Sequence, residues 1–212
     1  LRSATPEDAA DLIQNMHRNR IQSDEALDQM LRLADSNDRL LATAVAQLST
    51  LQDIPPEGLA LLLKAAARDD ASATVLADTV GALAKLKNPE VPAALLAAMT
   101  TLDAAKNAGN EQNRARQEFG NAGVLETYVS MFADVAISDQ SAAGLWADAA
   151  LLSVVSRKNA SPEASETARQ SIELAWQQSA GRIRLMQAAA KIDNHFLDDQ
   201  ILAVRNDNDA EV

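Results

Sequence analysis

The chain has 212 residues, of which 43 are Ala and 27 are Leu, against 19 Val or Ile, six aromatics and seven Gly. Two strong helix formers supply a third of it, so an all-α fold is expected and β-sheet is poorly supplied. Nineteen basic residues face 30 acidic ones, for a net charge of −11. That balance speaks against a nucleic-acid binder or a protein docked on anionic lipid. With no Cys, disulfides, thiolate chemistry and the usual structural zinc sites are excluded.

Helix starts can be read in chain order from short polar caps and early prolines. They are Thr5-Pro6-Glu7, Ser23-Asp24-Glu25, Asn37-Asp38, Pro55-Pro56-Glu57, Asn88-Pro89-Glu90, Ser138-Asp139, Ser161-Pro162-Glu163 and Asp193-Asn194. Between them apolar residues recur at helical spacing, as in Leu40, Leu41, Ala44, Val45, Leu48, Leu51 and in Leu76, Val80, Leu83, Leu86. The expected pairs are helices 24–35 with 38–52, 56–68 with 72–87, and 89–105 with 111–119. Two more follow, 122–136 with 141–157 and 162–178 with 181–192. Single helices at 6–18 and 195–205 flank them. Residues 106–123, with three Gly and four Asn, are the irregular part. Uninterrupted apolar runs such as Leu59 to Leu63 are far short of a bilayer span, so no membrane insertion is expected.

The helices also repeat. A shift of 35 places Leu41, Ala42, Val45, Leu48 and Leu51 on Leu76, Ala77, Val80, Leu83 and Leu86. A shift of 70 carries Ala77-Asp78 onto Ala147-Asp148, and one of 106 carries Ala84 to Asn88 onto Ala190 to Asn194. Two antiparallel helices in about 35 residues cannot bury their own apolar faces, and stacking on neighbours solves that. The expected architecture is a right-handed α-solenoid, one array over 1–212.

The stretch Leu76-Ala77-Asp78-Thr79-Val80-Gly81-Ala82-Leu83-Ala84-Lys85-Leu86, then Asn88-Pro89-Glu90-Val91, resembles the passage from one HEAT repeat to the next. Arg184 to Ile192, followed by Leu197 and Ile201-Leu202, is similar. The resemblance covers 40–90 and 140–212 and is poor between them. The Trp/Leu-Gly/Tyr pattern of tetratricopeptide units is missing. HEAT-like arrays imply scaffolding and protein recognition, with a protein partner or a neighbouring domain of the same polypeptide. The Ala-rich acidic style is similar to HEAT segments of large exported bacterial proteins joined to c-type cytochrome domains. That likeness implies a periplasmic or extracellular parent, though no Cys-x-x-Cys-His is present here.

Candidate chemistry is thin. His17 and His195 each stand alone, with no second His at helical spacing. The acids Glu7-Asp8, Asp24-Glu25, Asp69-Asp70, Asp198-Asp199 and Asp207 with Asp209 suit helix starts, where they meet the positive dipole end. A calcium loop at 207–209 would need a Gly turn and a distant Glu, which are missing. Gly-x-Ser-x-Gly and phosphate-cradling loops are missing too, so neither catalytic residue, metal nor cofactor is expected. Asn159-Ala160-Ser161 matches a glycan acceptor but is followed by Pro162. Trp146, Trp176, Phe119 and Phe196 are the candidate interaction residues, should any be exposed. Two alternatives are a spacer without a partner and a HEAT-like enzyme acting on nucleic-acid bases. The enzyme would need a basic groove, which this charge opposes. The acceptors and acid at 206–212 read as a helix start, hence the expectation of a fragment truncated within its last repeat (194–212).

Overall fold

The computed structural model describes residues 30–34 and 38–206, together with Thr5, Asp8, Asp11, Leu12 and Asn15. The charged pair at 24–25, His17 and the cap-like 207–212 lie outside the described residues. Every regular element among the described residues is α-helical. The all-α fold expected from composition is therefore the observed one. Residues 30–34 are helical, inside the helix expected at 24–35. The chain forms two compact units, Leu1–Phe119 and Gly120–Val212.

In the first unit the helices are α1 (Asp38–Thr50), α2 (Pro56–Ala66), α3 (Ala73–Leu83), α4 (Val91–Ala104) and α5 (Gly109–Asn121), whose last turn crosses the unit boundary. Helix α2 starts at Pro56, with Glu57 in its first turn and Lys64 in its last, each at the helix end that suits its charge. Ser72 caps α3 by accepting from the Val75 amide at 3.3 Å. Helix α3 packs on α1, α2 and α4, so Val75, Leu76, Thr79, Val80, Ala82 and Leu83 are all buried. The Thr79 hydroxyl donates to the Val75 carbonyl at 2.7 Å, which makes its burial tolerable. Within residues 106–123 the helix expected at 111–119 is present. The polar helix α5 occupies most of them and buries Ala115 and Phe119. The Gln112 amide also closes the end of α4, donating to the Leu102 and Ala105 carbonyls at 2.9 and 3.1 Å.

The second unit holds α6 (Val124–Thr127), α7 (Val129–Ser138), α8 (Ala142–Val155), α9 (Pro162–Trp176), α10 (Ser179–Ile192) and α11 (Asp198–Asn206). The helix expected at 122–136 is broken at Tyr128, where φ is −119° and ψ 32°. Helix α8 lies against α6, α7, α9 and α10. Its sequence is apolar nearly all round, as a helix enclosed on most sides requires, and residues 146 to 154 are all buried. Ser141 caps it, accepting from the Ala143 amide. Ser161 caps α9, accepting from Ala164. Two expected helix starts are helix ends. The Ser138 hydroxyl donates to the Asp134 carbonyl inside α7. Asp193 closes α10 in the left-handed conformation, with φ 51°. Both are short polar residues whose side chains serve either end of a helix, so composition alone does not fix the direction.

Candidate functional site

The strongest polar cluster of the second unit is built around Arg184 of α10. Its Nε donates to Asp148 Oδ2 of α8 at 2.5 Å, and one terminal nitrogen reaches Asp148 Oδ1 at 3.4 Å. That nitrogen also donates to the Ala136 carbonyl, while the other donates to the Asp139 carbonyl at 2.9 Å and Gln140 Oε1 at 3.2 Å. All five guanidinium N–H groups are thus engaged. Ala136 and Asp139 lie at the C-terminal end of α7, where carbonyls lack helical partners. One side chain therefore ties α7, α8 and α10 together. Arg184 is 7% exposed and Asp148 is fully enclosed. Burial pushes the Asp148 carboxyl up to about 6, with Arg184's hydrogen bond and charge pulling the other way. A saturated ion pair of this kind clamps; it has no free donor for an anion and no open face for proton transfer.

Beside the clamp is a cavity of about 250 Å3 between α7, α9 and α10. Ile137 and Leu174 form its apolar lips, and Gln140, Ser171, Gln178 and Arg184 are among its polar lining. The lips are 59% and 54% exposed. In the first unit a smaller polar crevice is lined by Asp78, Gly81, Lys85 and Arg114. There Arg114 pairs with Asp78 at 2.8 Å, and the Lys85 ammonium donates to the Ser49 carbonyl.

The four aromatic candidates separate by burial. Trp146 and Phe119 are 1% and 0% exposed. Both pack inside their own units, because Ala-rich helices leave volume that a large ring fills. The Lys191 ammonium stands 5.9 Å from the centre of the Trp146 ring. Trp176 and Phe196 are half-buried. Neither lines the cavity. His195 is exposed, with Nδ1 3.1 Å from Asp198 Oδ2. Asp70 is held below the usual carboxylate range by the hydrogen bond from Arg68. Among the described residues no group of three His, Asp or Glu side chains is placed to hold a metal ion. No helix of the described residues is long and apolar enough to cross a membrane.

Sequence reasoning passed over the clamp. The available signal was an acid within Ala147-Asp148-Ala149-Ala150-Leu151-Leu152, an apolar run where a charge must find a partner. The lips were less legible, since Ile137 and Leu174 look like ordinary members of apolar stripes.

Among the described residues fold and site define an all-α protein in which one buried ion pair, Asp148–Arg184, ties three helices of the second unit together. Comparison with protein-family models, curated proteins and solved structures gives no match for this chain.

Proposed function

We propose that the chain is an α-solenoid of HEAT-like helix pairs, right-handed and of period near 35, that serves as a non-catalytic scaffold for protein recognition. The observation that carries this is the order of packing. In the first unit α1 packs on α2 and α3, α2 on α3 and α4, and α3 on α4. In the second, with α6 and α7 taken as one broken helix, α7 packs on α8 and α9, α8 on α9 and α10, and α9 on α10. A helix that meets only the next one and the next but one is the contact pattern of a stacked array. Side-chain bridges recur at the same interval: Lys85 with Ser49, and Arg184 with Asp148, are each 36 residues apart. Arg157, whose guanidinium holds the Gly120 and Ala122 carbonyls at 2.8 and 2.7 Å, bridges 37 and 35.

Exposed Ile137 and Leu174 on one cavity favour recognition over a bare spacer, which would show scattered charge instead. The partner is a protein or another domain of the same polypeptide, and an exported bacterial parent suits the composition. The test is site-specific photo-cross-linking from exposed positions, including Met131, Ile183 and Leu202, in the full-length parent in its own cells. A discrete adduct is expected whose partner peptide maps to one defined surface and which a charge substitution beside the probe abolishes. Probes that yield no adduct at any position would leave a spacer and overturn the recognition role.

A further inference from the structure

We propose that the cavity between α7, α9 and α10 receives one large apolar side chain presented by a basic peptide segment of a protein partner. This rests on the recognition role and names its site and the chemistry of its ligand. Volume is the first reason. About 250 Å3 lies below the roughly 300–1,000 Å3 of small-molecule sites, and it accommodates a single large side chain. The apolar surface does not stop at the cavity either. Ile137 and Leu174 present more than half of their surface outside, so a ligand confined within would leave the lips wet. A chain that lays its backbone across the mouth and inserts one side chain covers both.

The polar lining suits a peptide. Ser171 is 8% exposed, lines the cavity, and its hydroxyl has no partner among the described residues. Among the described residues the Gln177 and Gln178 side-chain amides also have no partner, and Gln140 accepts from Arg184 with its oxygen while its NH2 stays available. Neutral groups that donate and accept match the N–H and C=O of a peptide backbone. Arg184, the lining cation, has every N–H engaged, so a carboxylate or phosphate finds no open donor there.

Charge around the mouth selects the flanks. Nearest the lips are Asp134 and Asp139 at the end of α7 and Glu173 of α9, while Glu163, Glu166 and Arg169 lie further back along α9. Asp134 lies one turn before Ile137, and Glu173 adjoins Leu174; both acids are exposed. From α10, Arg182 adjoins the lining Gly181 and adds one cation, which donates to the neutral Ser179 hydroxyl at 3.4 Å, while Lys191 stands over Trp146. On a chain of net charge −11, this rim favours Lys or Arg on either side of the inserted residue.

The experiment is selection of random peptides displayed on phage against the immobilised protein, followed by fluorescence anisotropy with the enriched peptides. Expected are peptides carrying one Leu, Ile, Met, Phe or Trp between Lys or Arg residues. Their affinity should fall roughly tenfold or more in an Ile137→Ser, Leu174→Ser double variant of unchanged helicity and melting. Ser171→Leu, which fills the cavity from within, should weaken binding similarly. Ile183→Ser, exposed on α10 but outside the cavity, should leave it unchanged. An acidic or wholly polar consensus, or no enriched peptide, overturns the assignment. Affinity that survives the double variant also overturns it, while leaving the recognition role intact on another surface. The cross-linking experiment judges that broader role separately.

Discussion

Asp148 occupies a place where a lone charge could not persist, since Ala147, Ala149, Leu151 and Leu152 around it are all buried. Arg184 meets both of its oxygens, and removing the acid would strand that guanidinium away from water. Asp148→Ala should therefore cost about 3–5 kcal/mol of unfolding free energy in urea denaturation. Replacing both partners by apolar residues should cost less than either single change, because no charge is left behind. The pH dependence has an unusual sign. The carboxyl titrates near 3.8 when unfolded and about 6 when folded, so between those values the folded protein holds a proton that the unfolded chain has released. Its contribution is fully present below the unfolded value and is lost as pH rises through about 6, the reverse of an ordinary salt-bridged acid. Comparison with Asp148→Asn, which cannot titrate, isolates it. The stability of the native protein relative to that variant should fall between about pH 4 and about pH 7. A rise over the same range would show that pairing with Arg184 outweighs burial.

Helix ends were the part of the elements that the sequence made most legible, and only some of them. Ser161-Pro162-Glu163 and Pro55-Pro56-Glu57 were readable because a proline cannot sit within a helix but suits its first turn. Ser138-Asp139 and Asp193-Asn194 misled, since short acceptors without a proline serve starts, ends and turns alike. The break at Tyr128 carries no Gly or Pro to mark it. Close approach between helices was also hidden, and it is concentrated at glycine. A Cβ on Gly144 would lie 1.9 Å from the Asp139 carbonyl oxygen and 3.2 Å from an Arg184 nitrogen. Gly144→Ala should thus push α8 off the end of α7 and cost about 1–3 kcal/mol, read as a lowered melting temperature. Gly81, inside α3, meets nothing nearer than Glu118 Cγ at 3.8 Å. Gly81→Ala should stabilise by about 0.5–1 kcal/mol, because alanine restricts the unfolded chain and fits the helix. The same substitution therefore takes opposite signs at two helical glycines, a distinction visible only once the neighbouring backbone is in place.

At the scale of the molecule, the internal shift of 70 residues gains physical content from the ion pairs. It carries Asp78 onto Asp148, as the sequence shows, and it also carries Arg114 onto Arg184. Asp78–Arg114 in the first unit and Asp148–Arg184 in the second each join residues 36 apart, and in the proposed array they are counterparts. Their settings differ: Arg114 is 49% exposed at its side chain, Arg184 only 8%. Pairwise alignment of apolar stripes could not show this, because which cation meets which acid is decided by packing between helices far apart in the chain. Packing order also governs how damage should spread. Helix α8 is tied to α6, α7, α9 and α10, and in the proposed array a lesion there weakens those neighbours first. Hydrogen exchange on Asp148→Ala should accordingly show faster amides in α7 to α10, with α1 and α3 keeping their native rates. The free energy lost at the clamp should appear in full in α8 and α10, since both lose the tie directly. Acceleration of equal size in every helix would mean that the whole chain opens as one cooperative body, and a stacked array of locally coupled pairs would then be the wrong description.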